Sequence, residues 1–268
     1  QSGGDGLEEA ILSDIYVSPD GNNQNTGLSW NSPFQTISHA VGMGYATEEN
    51  PITIHLAQGL YSTDSGELFP INVPDFIHIV GEDQSTTIID QGDSPIGFQM
   101  YLSRGVEFSD ITFIEGNTST WANEEGVLYF KDSEININRV TIDNPYNGSM
   151  TNGGIFVEYS SSNDCFPECS PIPKISIRNS TFHFSSLGIG FSQFDHEFDE
   201  IFYNDFEIIN CEFNTSDVLI GDEALINSGS AYFTIDNSVF LNSKFDVNIT
   251  TDYISGNTFT MDVNNSIF

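Results

Sequence analysis

Apolar and polar positions alternate along most of the chain, and the alternation breaks at one recurring kind of place. In Ile175-Ser-Ile177-Arg-Asn179-Ser-Thr-Phe182 the apolar residues stand two apart, then skip a polar Asn and resume. The same pattern returns in Phe206-Glu-Ile208-Ile-Asn210-Cys-Glu-Phe213 and in Phe233-Thr-Ile235-Asp-Asn237-Ser-Val-Phe240. Looser copies run Val106–Phe113, Ile135–Ile142 and Ile254–Phe259. Period-2 alternation on both sides of a polar residue means strand, bend, strand, with the apolar side chains on one face. Asn suits the bend because it tolerates left-handed backbone angles and bonds locally. The residues before the bends (108, 137, 177, 208, 235 and 254) are spaced 29, 40, 31, 27 and 19 apart. Repeats of this length that cannot bury their own face must stack on their neighbours. A third strand fits each interval, at Phe98/Met100, Val127/Tyr129, Ile155/Val157, Ile189/Phe191, Leu225 and Val247/Ile249. Three short strands per turn without an intervening helix predict an all-β parallel β-helix. A β-sandwich is the alternative, but it has no reason to repeat one bend motif. Phe108, Ile137, Ile177, Ile208 and Ile235 are expected in a single inward stack, with Asn179, Asn210 and Asn237 forming a side-chain ladder at the bends.

Ahead of these repeats the pattern changes. Residues 1–13 read as a flexible leader and 14–268 as one β-helix domain, of which 14–92 are the cap and first turns and 93–268 the repeating turns. Ser32 before Pro33 is a helix start, and Phe34, Ile37, Ala40 and Val41 then give an apolar stripe. A short N-terminal helix would cover the open first rung. The segments Tyr16-Val-Ser-Pro19 with Gly21-Asn22, Pro33-Phe-Gln-Thr-Ile37, Leu56-Ala-Gln-Gly59-Leu-Tyr61 and Ile77-His-Ile-Val-Gly81 follow in order. Together they resemble the domain of unknown function that opens many bacterial secreted proteins of the pectin-lyase-like superfamily. The resemblance implies a right-handed parallel β-helix in an extracellular or cell-surface setting. It implies no particular chemistry, because enzymes and adhesins share that opening.

Charge then narrows the partners. The chain carries 39 acidic and 6 basic residues, formally −33, which repels nucleic acid and anionic membranes. Polyuronates are repelled too unless divalent cations bridge them. There is no transmembrane run. Cys165 and Cys169, in a turn-rich loop, are expected to form a local disulfide in an oxidising compartment, while Cys211 aligns with Ser180 and Ser238 and should point inward.

The chemistry of polysaccharide enzymes leaves no clear trace. Lyases of this fold use Lys or Arg as a base, and no basic pair stands beside an acidic cluster in sequence. Glycoside hydrolases need paired carboxylates, but acids here are too abundant for a pair to be informative. The loop carrying Asp195, Glu197, Asp199, Glu200 and Asp205 is the candidate metal site, with Ca²⁺ as the cation that crowded carboxylates would hold. Trp121, Tyr129 and Tyr159 are candidate sugar-stacking rings. Two readings stand. One is a structural, adhesive or filament-forming surface protein, favoured by the scarcity of bases and by a last rung that ends at Phe268 without a cap. Such a rung would continue in a longer chain or dock end to end on a second copy. The other is a protein that binds or degrades extracellular polysaccharide.

Overall fold

The computed structural model describes residues 10–114, 126–143, 154–159, 174–191, 203–220, 230–247 and 258–268. Every named strand pairs in parallel with its neighbours, and the strands form a β-helix. The long sheet runs through Ile15–Val17, Ile52–Leu56, Ile77–Gly81, Val106–Ile114, Ile135–Asp143, Ile175–Arg178, Tyr203–Ile209, Ser230–Asp236 and Thr258–Asn264. A second limb follows the bend, through Gly59–Ser62, Thr87–Asp90, Thr181–His183, Glu212–Asn214 and Val239–Leu241. The short sheet closes each turn with Ile71–Asn72, Ile96–Tyr101, Gly126–Lys131, Gly154–Tyr159, Ser186–Phe191, Asp217–Ile220 and Phe245–Val247.

The inward stack forms in the expected register. Phe108 pairs with Ile137, Ile137 with Ile177, Ile177 with Ile208 and Ile208 with Ile235, and all five are buried. Burial of each contributes about 1.5–3 kcal/mol. The next member is Val263 and not Ile254, so the last interval is 263 − 235 = 28 residues, in step with the turns before it. Ile254, Gly256 and Asn257 lie outside the described residues. The described bend is at Asn265 (φ 50°), and Phe259 pairs with Ala231 inside the strand.

Two other expectations shift. The inward residues of Gly126–Lys131 are Leu128 and Phe130, opposite Phe98 and Met100, rather than Val127 and Tyr129. That strand is an unbroken apolar run, and without alternation nothing in sequence fixes its register. In the turn assigned to Leu225, the third strand is Asp217–Ile220, with Val218 paired to Leu187 and Phe245; Leu225 lies outside the described residues.

The helix begins later than Ser32. It spans Ile37–Met43 with Thr36 as its N-cap, whose hydroxyl accepts the His39 amide. Ahead of it Phe34 forms a parallel bridge to Val17 instead. Phe34 exchanges backbone hydrogen bonds with Tyr16 and Ser18, and Asn23 Oδ1 accepts the amides of Gln35 and Thr36. Ile37, Ala40 and Val41 bury the apolar stripe against the first strands, and the Glu67 carboxylate accepts the amides of Ile37 (2.6 Å) and Ser38 (3.0 Å). Burial pushes the Glu67 carboxyl up, partly offset by these bonds.

The bends share one construction. The bend residue is left-handed at Asp110, Arg139, Asn179, Asn210, Asn237 and Asn265, and also at Leu102, Asp132, Phe184, Thr215 and Asn242. A serine follows most of them. Ser180, Ser238 and Ser266 donate to the carbonyl two residues back and accept the amide of the preceding rung, from Val140, Cys211 and Ser238 in turn (each 3.2 Å). Ser133, Ser216 and Ser243 do the same at the other corners. The hydroxyl thus replaces ladder bonds that a left-handed residue interrupts. Cys211 takes a serine's place, buried as expected, with its thiol pushed up to about 11 by burial.

The asparagine ladder also forms. Asn179 donates to Asn138 (2.8 Å), Asn210 to Asn179 (3.1 Å) and Asn237 to Asn210 (2.6 Å). Asn210→Gly removes only the ladder bonds and is expected to cost about 0.5–1.5 kcal/mol. Asn210→Ala also forces a Cβ-bearing residue without a local side-chain bond into φ 55°, adding about 1 kcal/mol. Equal denaturation midpoints for the two variants would show that backbone tolerance is not what Asn210 supplies.

Candidate functional site

The outer face of the short sheet gathers rings and amides because alternation turns every second residue of its strands outward. Gln99 pairs with Asn72 on one side and Tyr129 on the other, and Tyr129 with Phe156. One residue pair along, Tyr101 pairs with Lys131 and Lys131 with Glu158. The Gln99 amide donates to Asn72 Oδ1 (2.6 Å), and the Tyr101 hydroxyl donates to Gln99 Oε1 (3.4 Å). Tyr101 packs edge-on against Tyr129 (centroids 5.8 Å apart), and Tyr129 stacks on Phe156 (5.9 Å, 6° between planes). Glu158 accepts from the Tyr129 hydroxyl (2.6 Å) and the Lys131 ammonium (3.0 Å).

Where this strip meets the helix, a groove of about 520 Å³ opens. Val41, Leu68 and Pro70 give it an apolar wall, and Asn72, Gln99 and Tyr101 line the other side. None of its lining residues is charged. Tyr101 is 48% exposed and Leu68 74%, so ring and wall are open to a ligand.

The rings named from sequence fall differently. Tyr129 is in this strip but 1% exposed, clamped between Tyr101, Phe156 and Glu158. It supports the exposed ring rather than offering its own face. Tyr159 lies on the neighbouring strand, paired with Phe191, and Trp121 is outside the described residues. So are Cys165, Cys169, Asp195, Glu197, Asp199 and Glu200. Asp205 is placed in Tyr203–Ile209, paired with Tyr232. Among the described residues no group of three or more His, Cys, Asp or Glu side chains is arranged to hold a metal ion.

On the long sheet, cations gather where sequence proximity gave no sign of a partner. Arg178 Nη2 lies 2.5 Å from Glu207 Oε2 and Lys174 Nζ 3.6 Å from Oε1, while Arg178 Nε donates to Ser176. Burial alone would raise the Glu207 carboxyl. The Arg178 hydrogen bond, both cations and the Ser176 hydroxyl outweigh it and hold the group below the usual carboxylate range. Arg139, a bend residue, pairs with Asp110 instead.

Nothing in composition singles out Tyr101, Gln99 and Asn72, although alternation carries a signal for them. They are the outward partners of the inward Phe98, Met100 and Ile71.

Among the described residues no helix is long and apolar enough to cross a membrane. In fold the chain is similar to a lacto-N-biosidase of family GH136 from Eubacterium ramulus (9% identity, 96% of this chain and 68% of that one, TM-score 0.49). It is similar as well to a rhamnogalacturonan lyase (10%, 92% and 73%, TM-score 0.46) and to the PL6 alginate lyase AlyGC (11%, 96% and 40%, TM-score 0.45). No curated protein matches the chain in sequence. Residues 19–267 match the model of the proteins of unknown function DUF1565, and the chain belongs to that family.

Proposed function

We propose that the protein is an extracellular β-helix that binds a neutral polysaccharide in the groove beside Tyr101. The observation that carries this reading is an uncharged groove, walled by an exposed ring and a pair of amides, in a chain of formal charge −33. A pyranose presents apolar C–H faces and a rim of hydroxyls. The Tyr101 ring matches the first and the Asn72–Gln99 amides match the second. The surrounding field repels acidic glycans and leaves neutral ones. Adhesion and polysaccharide binding then become one role, because a rigid solenoid that holds a glycan attaches its bearer to it.

Calorimetric titration with neutral gluco-, xylo-, manno- and galacto-oligosaccharides tests this. One of these classes is expected to bind, and Tyr101→Ala to weaken it about tenfold, which corresponds to about 1.4 kcal/mol. Gln99→Ala is expected to weaken it less. Affinity unchanged in Tyr101→Ala, or a preference for polyuronates over every neutral glycan, would overturn the reading.

A further inference from the structure

We propose a second sugar subsite on the outer face of the long sheet, formed by Trp30, His55 and Asp14. It rests on the reading of the protein as a glycan binder, but it uses a different face and different residues. Tyr16 and His55 are cross-strand neighbours whose rings stack at 5.0 Å and 20°. Trp30 packs edge-on against Tyr16 (4.9 Å, 69°) and tilts toward His55 (6.5 Å, 59°). The indole is nevertheless 49% exposed. A residue with a large aromatic ring is thus open to water at a fixed place.

The loop around it is built to hold that place. Gly27 O accepts the Tyr16 amide, Gly27 N donates to Ser32 O, and Ser32 N donates to Ser29 O. Asn25 Nδ2 donates to Pro33 O (2.7 Å), and Asn23 ties the loop's far side to Gln35 and Thr36. A ring presented on such a scaffold binds without first being ordered.

At His55, whose ring centroid lies 6.5 Å from that of the indole, stands an acceptor with capacity to spare. Asp14 Oδ1 accepts the Thr53 amide and Oδ2 lies 3.2 Å from His55 Nε2, yet the Asp14 side chain is 50% exposed. His55 Nδ1 has no hydrogen-bond partner among the described residues, so it too is open to a ligand. An aromatic face flanked by hydrogen-bond acceptors suits a ligand with C–H bonds on one side and hydroxyl donors on its edge, which is a sugar ring. A quaternary ammonium would instead call for rings converging on a void. Here the rings lie against one another and offer a single open face.

The sequence holds two tryptophans, so Trp121→Phe leaves Trp30 as the sole indole reporter. Titration of that chain with the same four neutral oligosaccharide classes is expected to give a saturable shift in Trp30 emission. Tyr101→Ala should leave the shift intact, and Asp14→Asn should weaken it about five- to tenfold. If Tyr101-dependent binding is measured while Trp30 emission stays unmoved by every sugar, this subsite is refuted and the groove stands. Absence of any glycan binding refutes both, and a response to choline in place of sugars refutes this one. Should Trp121→Phe fail to fold, Trp30→Phe read by calorimetry decides. Loss of one of two binding sites supports the subsite, and unchanged stoichiometry and affinity overturn it.

Discussion

Phe213→Ala is expected to destabilise the solenoid by about 3–5 kcal/mol, a large share of the roughly 5–15 kcal/mol that holds a typical domain folded. Phe213 is fully buried between Phe182 (4.5 Å, 7° between planes) and Phe240 (4.8 Å, 5°). The stack is set by register, since all three rings pair across consecutive parallel strands. Backbone hydrogen bonds on both sides fix the rung spacing, so the neighbours cannot close over the missing ring and a cavity remains. Phe268 lies beyond Phe240 in the same stack, parallel to it at 4.8 Å, but is 65% exposed. Phe268→Ala is therefore expected to cost under about 1 kcal/mol, because little apolar surface is withdrawn from water there. Stacked repeats can unfold in parts, so the denaturation curve needs amide exchange beside it. Protection should fall first at Glu212–Asn214 and Val239–Leu241. If Phe213→Ala costs no more than Phe268→Ala, the stack does not carry the core.

The same contrast between inside and outside explains what was legible in the chain. Inward positions announce themselves, because burial demands apolar residues at period two, and that ground alone assigns Phe108, Ile137, Ile177, Ile208 and Ile235 to one stack. The bends at Asn179, Asn210 and Asn237 were legible because Asn suits left-handed backbone, whereas those at Leu102, Phe184 and Thr215 carry no such mark. Each misplacement lies where that constraint is absent or imitated. Val127–Phe130 has no alternation, so its register waited on Phe98 and Met100 across the rung. The described bend Asn265-Ser266 is marked by the serine that bridges to the rung before it. Ser32-Pro33 has the composition of a helix start, but tertiary bonds from Tyr16 and Asn23 outbid it.

Outward positions are harder to read because water accepts almost any residue. Tyr101 gains meaning only beside Gln99, Asn72 and the helix wall, which come together through turns of some thirty residues. Lys174 and Arg178 reach Glu207 across the same kind of gap, since the pairs that matter in a solenoid are one turn apart rather than three or four residues apart. The Trp30 platform likewise needs His55 and Asp14, and the partners of that dyad are separated by 41 residues.

The second large effect is expected at a glycine that shows how tightly the rungs nest. Gly81 ends the strand Ile77–Gly81 and is buried. A Cβ built there would stand 2.0 Å from the Asp110 carbonyl oxygen and 3.0 Å from Thr87 Cβ. The nearest atom is backbone and not the end of a flexible side chain, so no rotamer relieves the clash. Asp110 is itself the left-handed bend residue of the next turn (φ 59°), and its carboxylate holds Arg139 one turn further on. Gly81→Ala must therefore displace the bend, and with it the ion pair and the register of Val106–Ile114 over Ile77–Gly81. Its cost should reach or exceed the 1–3 kcal/mol typical of roughly one-methyl overpacking. Gly42→Ala is the matching control. Gly42 lies in the helix and a Cβ there meets nothing within 4 Å, so the substitution should stabilise by about 0.5–1 kcal/mol through helix propensity. Thermal unfolding of the two variants reads opposite signs from one added methyl group. A Gly81→Ala chain that melts with the parent would mean that the rungs nest less closely than the backbone positions of Gly81 and Asp110 require.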